Sequence, residues 1–225
     1  MIIAIDGPSG AGKSTVAKAV AKKLGFSCLD TGAMYRAVAW RALQDGADLA
    51  DEEACGRIAR EREVSFGHVA GDPVPRRVFI DGDEVTDAIR TAEIDRAVSP
   101  VSAHPAVRKA LTAQQQRIGR SGDYVVEGRD IGTVVFPEAA VKVFLTASDE
   151  ERAHRRVRQN ADRGVGSLDF EEVLADIRRR DAHDSARAAA PLKPAADAVR
   201  VDSTGHYIEE VIDMICAMAR EAGAR

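Results

Sequence analysis

Short apolar runs alternate with amphipathic stretches at the start of the chain. The first run, IIAI, is long enough for one strand and breaks at GPSG. KSTVAKAVAKKLG then takes helical spacing, with Val16, Val20 and Leu24 on one face. FSCLD predicts a second strand, and we expect Thr31 to cap a helix that runs to about Leu43. This strand–helix–strand–helix opening predicts a parallel sheet covered by helices.

The middle of the chain has a different rhythm. REVSFGHV and RRVFIDGDEVT alternate like strands on either side of the loop GDPVP, and Asp81-Gly82 is a strong hairpin signal. Such short antiparallel strands inside an α/β chain predict an insertion. The strand pattern spans roughly residues 60–95, and we place the inserted subdomain at about residues 60–100.

Parallel-sheet patterns return in DYVVEG, AVKVFLTA and AVRVDS, and the amphipathic stretch HYIEEVIDMICAMAR predicts a last helix. The pairs Ser148 with Glu151 and Asp169 with Glu172 fit the capping box that opens helices. We therefore predict a helix at DEERAHRRVRQ, a loop at NADRGVGS and a further helix after it.

Composition narrows the class of protein. The 225 residues are 45% hydrophobic and 30% charged, which excludes disordered and fibrous chains. A net charge of −4 argues against general binding to nucleic acids or membranes. Cys28, Cys55 and Cys216 form no C-x-x-C pair, as expected in a reducing compartment. We expect a cytoplasmic monomer.

The segment GPSGAGKST carries the clearest chemical signal. It fits G-x-x-x-x-G-K-[ST] and lies between a strand and a helix, as this motif requires. Backbone N–H groups and the helix N-terminus would face phosphate oxygens. Lys13 is expected to reach the β- and γ-phosphates of a nucleoside triphosphate, and the Ser14 hydroxyl to bind Mg²⁺. The residues predicted to bind this triphosphate, called the phosphate cradle below, are Gly7, Pro8, Ser9, Gly10, Ala11, Gly12, Lys13, Ser14 and Thr15.

Arginines lie where a second anionic substrate would bind. A triphosphate and a phosphate acceptor repel each other, so transfer between them needs neutralisation and alignment more than a general base. Arg36 and Arg129 follow predicted strands, whose carboxyl ends are where parallel sheets bind ligands. Helical spacing places two further sets on single faces, namely Arg152 with Arg155 and Arg156, and Arg180 with Asp184 and Arg187.

Simpler interpretations stay open at this point. The first arginine face could be a solvated surface paired with Glu150 and Glu151, and the second a surface ion-pair ladder with Asp181 and Asp184. Glu127, at the end of a predicted strand, could bond Mg²⁺-bound water or be a turn carboxylate.

Several segments together resemble those of the bacterial cytidylate kinases. IDGPSGAGKST, LDTGAMYRAVAW, EGRDIGTVVFP and DSARAAAPLKPAADAVRVDST match in order and spacing, and the resemblance covers essentially the whole chain. It implies an α/β P-loop fold of three layers, α/β/α, with a central parallel sheet. It also implies one kinase domain over residues 1–225, a small antiparallel-β/α monophosphate-binding insertion, and a short arginine-bearing lid at about residues 152–168. ATP with Mg²⁺ would be the donor, and CMP or dCMP the acceptor.

The resemblance also implies roles for single residues. The catalytic set is Lys13, Arg129, Arg152 and Arg156, of which the last two are lid arginines. Arg36, Arg129 and Arg187, called the acceptor arginines below, would hold the acceptor phosphate. The full substrate-binding set is Thr31, Arg36, Ser99, Arg108, Arg129, Asp130, Arg180, Asp184 and Arg187. Within it, Arg180 and Asp184 would contact the ribose, and Ser99, Arg108 and Asp130 the cytosine. Glu127 departs from the family pattern, which often has Asp there.

The two charged residues of the base pocket suit cytosine. Arg108 can donate to O2 and N3 of cytosine, and ionised Asp130 can accept from its N4 amine. Uracil reverses two of these groups and would leave buried polar atoms unpaired. Kinases of adenylate, uridylate or shikimate are the nearest alternatives. The lack of N-K-x-D disfavours a GTP-dependent switch, and the lack of aromatic residues among the arginines disfavours a nucleic-acid binder.

Overall fold

The computed structural model describes residues 1–224. This part of the chain contains eight strands, eight α-helices, a 3₁₀ turn at Ala88–Arg90 and a π-helical turn at Ile131–Val135. The strands are β1 (Ile2–Asp6), β2 (Ser27–Asp30), β3 (Val64–Gly67), β4 (Arg77–Ile80), β5 (Asp83–Glu84), β6 (Tyr124–Gly128), β7 (Val141–Thr146) and β8 (Val199–Asp202). The helices are α1 (Lys13–Leu24), α2 (Thr31–Gln44), α3 (Glu52–Glu61), α4 (Ala92–Ala103), α5 (Pro105–Gly119), α6 (Asp149–Arg163), α7 (Phe170–Ala186) and α8 (Ile208–Glu221).

The predicted parallel sheet is confirmed. Five strands lie in the order β2-β6-β1-β7-β8, and every neighbouring pair is parallel. Residues of a strand point alternately to opposite faces. Ala4 of β1 accordingly packs against α2 and its neighbours, whereas Ile3 and Ile5 pack with α1 and α8. Because helices cover both faces, β1 must be apolar on both sides, and the fold has three layers.

The predicted hairpin is also confirmed. β3, β4 and β5 form a small antiparallel sheet, and the turn between β4 and β5 is Asp81-Gly82. Both turn residues have positive φ, 50° and 87°, as a two-residue hairpin turn of the I′ type requires. Helices α3, α4 and α5 were not predicted from the sequence pattern. The boundaries of the inserted subdomain at about residues 60–100 stay a prediction.

The expected cap of α2 was wrong by one residue. Asp30 caps the helix, since its carboxylate accepts a hydrogen bond from the Ala33 N–H at 2.9 Å. Thr31 is instead the first helical residue, and its hydroxyl donates to the Glu127 carbonyl at 2.7 Å. That hydrogen bond joins the start of α2 to the end of β6, and it leaves the Thr31 hydroxyl pointing at β6 instead of capping the helix.

The region around α6 also differs from the sequence prediction. The loop expected at NADRGVGS was wrong in its first half, because α6 continues to Arg163 and ends at Gly164, which has a φ of 65°. Only one bond of each expected capping box forms. Ser148 Oγ accepts from the Glu151 N–H at 3.2 Å, but the Glu151 carboxylate pairs with Arg155 instead of returning to Ser148. Within the described chain, no helix combines the length and apolar character needed to cross a bilayer.

Candidate active site

A cleft of about 1280 Å³ lies over the carboxyl ends of β1, β2 and β6. Parallel strands place their carboxyl ends at one edge of a sheet, so segments distant in sequence meet there. Most predicted site residues line this cleft. They are Ser9, Gly10, Ala11, Gly12, Lys13, Ser14, Thr15, Thr31, Arg36, Ser99, Arg108, Arg129, Asp130, Arg156, Arg180, Asp184 and Arg187. Gly7 and Pro8, in the turn that follows β1, are not part of its lining, and neither is Arg152.

The phosphate cradle begins where β1 meets β7. Gly7 has a φ of 151°, and a Cβ built on it would come within 1.9 Å of the Leu145 carbonyl oxygen. Only glycine fits this close approach of two backbones. Gly12 precedes α1 in the left-handed conformation with a φ of 91°, which turns the chain into the helix N-terminus. The backbone therefore takes the curled path that an anion-binding loop needs.

Lys13 is buried at the first residue of α1, and its Nζ donates to the Pro8 carbonyl at 2.7 Å. Burial lowers the pKa of Lys13 well below its ordinary value, and the nearby positive charge of Arg129 lowers it further. An anion between these two groups would relieve their repulsion. The electrostatics of the cradle therefore favour a phosphate group.

Glu127 faces the cradle from the end of β6. Ser14 Oγ donates to Glu127 Oε2 at 2.8 Å, whereas Oε1 is buried without a hydrogen-bond partner. Burial raises the pKa of Glu127 to about 7, and the charge of Asp30 adds to this shift. Glu127 lies within the strand, not in a turn. An unpaired carboxylate oxygen beside a hydroxyl suits Mg²⁺, which prefers oxygen ligands.

The two predicted base-reading residues are paired with each other. Arg108 of α5 is buried and donates from Nη2 to Asp130, which follows β6. Its Nη1 donates to the Ser102 carbonyl at 3.1 Å, and its guanidinium carbon lies 5.3 Å from the centre of the Tyr35 ring. These three partners fix the orientation of Arg108 at the wall of the cleft.

Asp184 links two of the acceptor arginines. Its Oδ2 accepts from Arg129 Nε at 3.1 Å, and its Oδ1 accepts from Arg187 Nη2. Arg187 also donates to Ser102 Oγ at 3.0 Å. Burial alone would raise the pKa of Asp184, but Arg129 and Arg187 outweigh it and hold the pKa below its ordinary value. Asp184 is therefore ionised and keeps both arginines in place.

The third acceptor arginine, Arg36, has a different partner. Its Nη1 donates to the Ile89 carbonyl at 3.0 Å, and its Nη2 donates to Asp95 of α4. Arg180 of α7 approaches the same carboxylate, with its Nη1 3.9 Å from Asp95 Oδ1. A carboxylate therefore sits between two arginines that were both predicted to bind the substrate.

The two predicted lid arginines have different surroundings, although they lie one turn apart on α6. Arg152 is buried, with Nε bonded to the Ala147 carbonyl at 3.1 Å and Nη1 to the Ser9 carbonyl at 2.8 Å. It also pairs with Asp149 and Asp181, so the structure does not bring it to the cleft as a free donor.

Arg156 contacts the phosphate cradle through one hydrogen bond, from its Nη2 to the hydroxyl oxygen of Ser9 at 3.2 Å. Burial lowers its pKa to about 10, and the charges of Arg180 and Arg36 contribute. The solvated-surface interpretation of this helix face is wrong for both lid arginines, because they face the phosphate cradle.

A family model described as cytidylate kinase matches residues 3–221. The chain belongs to the cytidylate kinase family.

Relatives among known proteins agree with this membership. The cytidylate kinase of Enterococcus faecalis (strain ATCC 700802 / V583) is 49% identical over 221 residues, which cover 98% of this chain and 96% of that protein. The cytidylate kinase of Desulfitobacterium hafniense (strain Y51) is 50% identical over 216 residues, covering 96% and 91%. A solved structure of an uncharacterized protein from Eubacterium ventriosum ATCC 27560 has a TM-score of 0.52 at 12% identity. It covers 100% of this chain and 99% of that one, and supports the fold alone.

Two residues that shape the site of this cytidylate kinase family member were not predicted from the sequence. Asp6 ends β1, and its buried carboxylate accepts from the N–H groups of Ile131 and Gly132 at 2.7 and 2.8 Å. It thereby fixes the turn that follows Asp130. Asp95 is the other, and one signal could have found it: it precedes Ser99 by four residues on α4, so both occupy one helix face.

Proposed function

We propose that this chain transfers the γ-phosphoryl group of ATP to CMP or dCMP and releases ADP with CDP or dCDP. The observation that carries the proposal is the Arg108–Asp130 pair, which shares one cleft with the phosphate cradle and the acceptor arginines. A donor for O2 and N3 beside an acceptor for N4 complements cytosine. The family membership supports the same reaction.

The donor triphosphate would lie in the phosphate cradle. Backbone N–H groups of the loop, the N-terminus of α1 and Lys13 would hold its β- and γ-phosphates. Ser14 and Glu127 would hold Mg²⁺ and its water through a hydroxyl and the unpaired Oε1. When bound, Mg²⁺ neutralises charge on the phosphate oxygens.

The acceptor phosphate would lie among the acceptor arginines. One of its oxygens forms a bond to the γ-phosphorus, and the bond from that phosphorus to the bridging oxygen of ADP breaks. ADP leaves with the electron pair. The attacking oxygen is already anionic near neutral pH, so no side chain has to remove a proton. Arg129 and Arg156, which both line the cleft, would stabilise the charge on the transferring group.

The remaining assignments are proposals of the same kind. Arg180 and Asp184 would contact the ribose, Ser99 the base, and Thr31 the acceptor side of the cleft. We propose the lid at about residues 152–168, although in this structure Arg152 anchors the cradle instead of facing the cleft. We also propose a monomer that works in the cytoplasm, in line with the composition of the chain.

An ADP-release assay with ATP and Mg²⁺ tests the proposal, with CMP, dCMP, UMP, AMP and shikimate offered in parallel. We expect turnover to concentrate on CMP and dCMP. A faster rate with AMP would show that the base assignment is wrong, and no turnover with any acceptor would exclude a kinase of these substrates.

An Asp130→Asn variant sharpens the assay. An amide can donate to O4 of uracil, where a carboxylate cannot, so the kcat/KM ratio of CMP to UMP should fall by about tenfold or more. Asp197→Asn is a matched control, because Asp197 is exposed, pairs with Lys142 and is absent from the cleft lining. An unchanged ratio in Asp130→Asn would remove Asp130 from base recognition.

A further inference from the structure

Asp95 lies among positive charges on the acceptor side of the cleft. Its carboxylate accepts a hydrogen bond from Arg36 Nη2 and lies 3.9 Å from Arg180 Nη1. Arg156 and Arg163 line the same cleft; burial lowers the pKa of both guanidinium groups, and the negative charge of Asp95 offsets part of that shift. A single carboxylate therefore faces several guanidinium groups.

These arginines repel one another when no anion lies between them. Burial lowers the pKa of Arg180, and the neighbouring charges of Arg129 and Arg36 add to the shift. Burial alone would raise the pKa of Asp95, but Arg36, Arg156 and Arg180 outweigh it and hold that pKa below its ordinary value. Asp95 is thus ionised at neutral pH and compensates charge in the place proposed for the acceptor phosphate.

We propose that Asp95 is a resident counter-anion of the acceptor-phosphate pocket, which holds Arg36 and Arg180 in place and yields to the phosphate group of the incoming monophosphate. By competing for the same donors, the carboxylate sets the affinity for the acceptor. The inference rests on the proposed function, since it assumes that the acceptor carries a phosphate group.

The geometry allows Asp95 to give way. Its side chain is 35% exposed, so a change of rotamer can turn the carboxylate toward solvent without movement of α4. Arg36 keeps its bond to the Ile89 carbonyl in the meantime and stays oriented. Asp184 differs, because its side chain is only 9% exposed and is held by Arg129 and Arg187. Among these carboxylates, Asp95 is the one that a phosphate can displace easily.

The test is an Asp95→Asn variant, in which the carboxamide has nearly the same shape and no charge. Calorimetric titration with CMP in the absence of ATP gives Kd, and steady-state kinetics give KM and kcat. We expect Kd and KM for CMP to fall by about three- to tenfold, with a smaller change in kcat. Asp95→Glu, which keeps the charge, should restore the wild-type affinity.

Glu93→Gln is the matched control. Glu93 lies on the same helix, is exposed and is not part of the cleft lining. The variant removes one negative charge, as Asp95→Asn does. It should bind CMP like the wild type. Inorganic phosphate provides a readout that does not depend on activity, since it should raise the unfolding temperature of Asp95→Asn more than that of the wild type.

Two outcomes would overturn the inference. Equal or weaker CMP and phosphate binding by Asp95→Asn would mean that Asp95 orients Arg36 for the acceptor instead of competing with it. If Glu93→Gln increased the affinity for CMP as much as Asp95→Asn, the effect would come from net charge and not from the position of Asp95. Should Asp95→Asn not fold, Asp95→Ala replaces it with the same expectations. A wild-type protein that does not phosphorylate CMP refutes the proposed function, whereas the phosphate-dependent unfolding temperatures still decide the role of Asp95.

Discussion

Alanine variants of Arg152 and Arg156 should separate anchoring of the phosphate cradle from catalysis. The two residues lie one turn apart on α6 and were both predicted to be catalytic. Arg152→Ala removes two donors to backbone carbonyls, at 2.8 and 3.1 Å, together with ion pairs to Asp149 and Asp181. Arg156→Ala removes one bond of 3.2 Å to the hydroxyl of Ser9.

The surroundings of the two side chains set the size of each effect. Arg152 is 4% exposed, and its loss leaves the Asp181 carboxylate, 18% exposed, without its positively charged partner, although the Ser9 N–H still donates to it at 3.3 Å. Removing one partner of a buried ion pair costs roughly 3–5 kcal/mol, and Asp149 adds little because it is 39% exposed. Arg156 is attracted by Asp95 but penalised by burial and repelled by Arg180 and Arg36, so its removal should change the free energy of unfolding by about 1 kcal/mol or less.

Urea unfolding and steady-state kinetics on the same preparations provide the measurement. We expect Arg152→Ala to lose several kcal/mol of unfolding free energy, and Arg156→Ala to keep its stability while kcat falls by about 10²-fold. Arg158→Ala is the control for stability, since Arg158 lies on the same helix with 70% of its side chain exposed. The reasoning is refuted if Arg156→Ala is the less stable variant, or if it turns over at the wild-type rate.

Gly7, Asp6 and Arg129 each provide a further test. Gly7→Ala should lower the free energy of unfolding in urea by more than about 3 kcal/mol, because the added Cβ would overlap the Leu145 carbonyl. The control Gly25→Ala, at a φ of 70° but with open space around it, should lower it by about 1 kcal/mol. Equal losses in the two variants would contradict the overlap. Burial raises the pKa of Asp6 from 3.8 to about 6, so the folded protein holds this proton more tightly than the unfolded chain. The resulting stabilisation is complete below about pH 3.8 and is lost as pH rises through about 6. Unfolding free energy should then fall by about 2 kcal/mol from about pH 4.5 to about pH 7 relative to Asp6→Asn, and parallel pH profiles would exclude this effect. Arg129→Lys should lower kcat far more than ATP affinity, since one point charge replaces a two-pronged donor; unchanged turnover would place Arg129 outside the reaction.

The parallel sheet and the place of the cleft could be predicted because they depend on local signals, whereas the strand order could not. An apolar run, a glycine-rich turn and an amphipathic helix each show in a few neighbouring residues. The rule that ligands bind at the carboxyl ends of parallel strands then brings Gly7, Thr31 and Arg129 together without knowledge of any contact. The turn at Asp81-Gly82 was predictable for the same reason, since two residues with positive φ determine it.

The partners of site arginines that are distant in sequence could not be predicted in this way. Arg36 and Asp95 are 59 positions apart, and Arg129 and Asp184 are 55 apart, so only the folded arrangement of α2, α4 and α7 pairs them. The cap of α2 failed for a related reason. Two adjacent residues, Asp30 and Thr31, can both cap a helix, and the carbonyl of the distant Glu127 decides between them by binding the threonine hydroxyl.

The pairing of arginines with carboxylates has a consequence for how tightly the acceptor binds. Arginines gathered in a partly buried cleft destabilise one another unless an anion lies between them. Asp130, Asp184 and Asp95 supply that charge for Arg108, Arg129 and Arg36 respectively. The cleft is thus ordered before substrate arrives, which lowers the entropic cost of binding. The affinity for a phosphate then depends on the difference between its attraction to the arginines and that of the carboxylate it displaces. Because Asp130 and Asp184 are buried and Asp95 is only partly buried, that difference should be adjustable at Asp95 without disturbing the other two pairs.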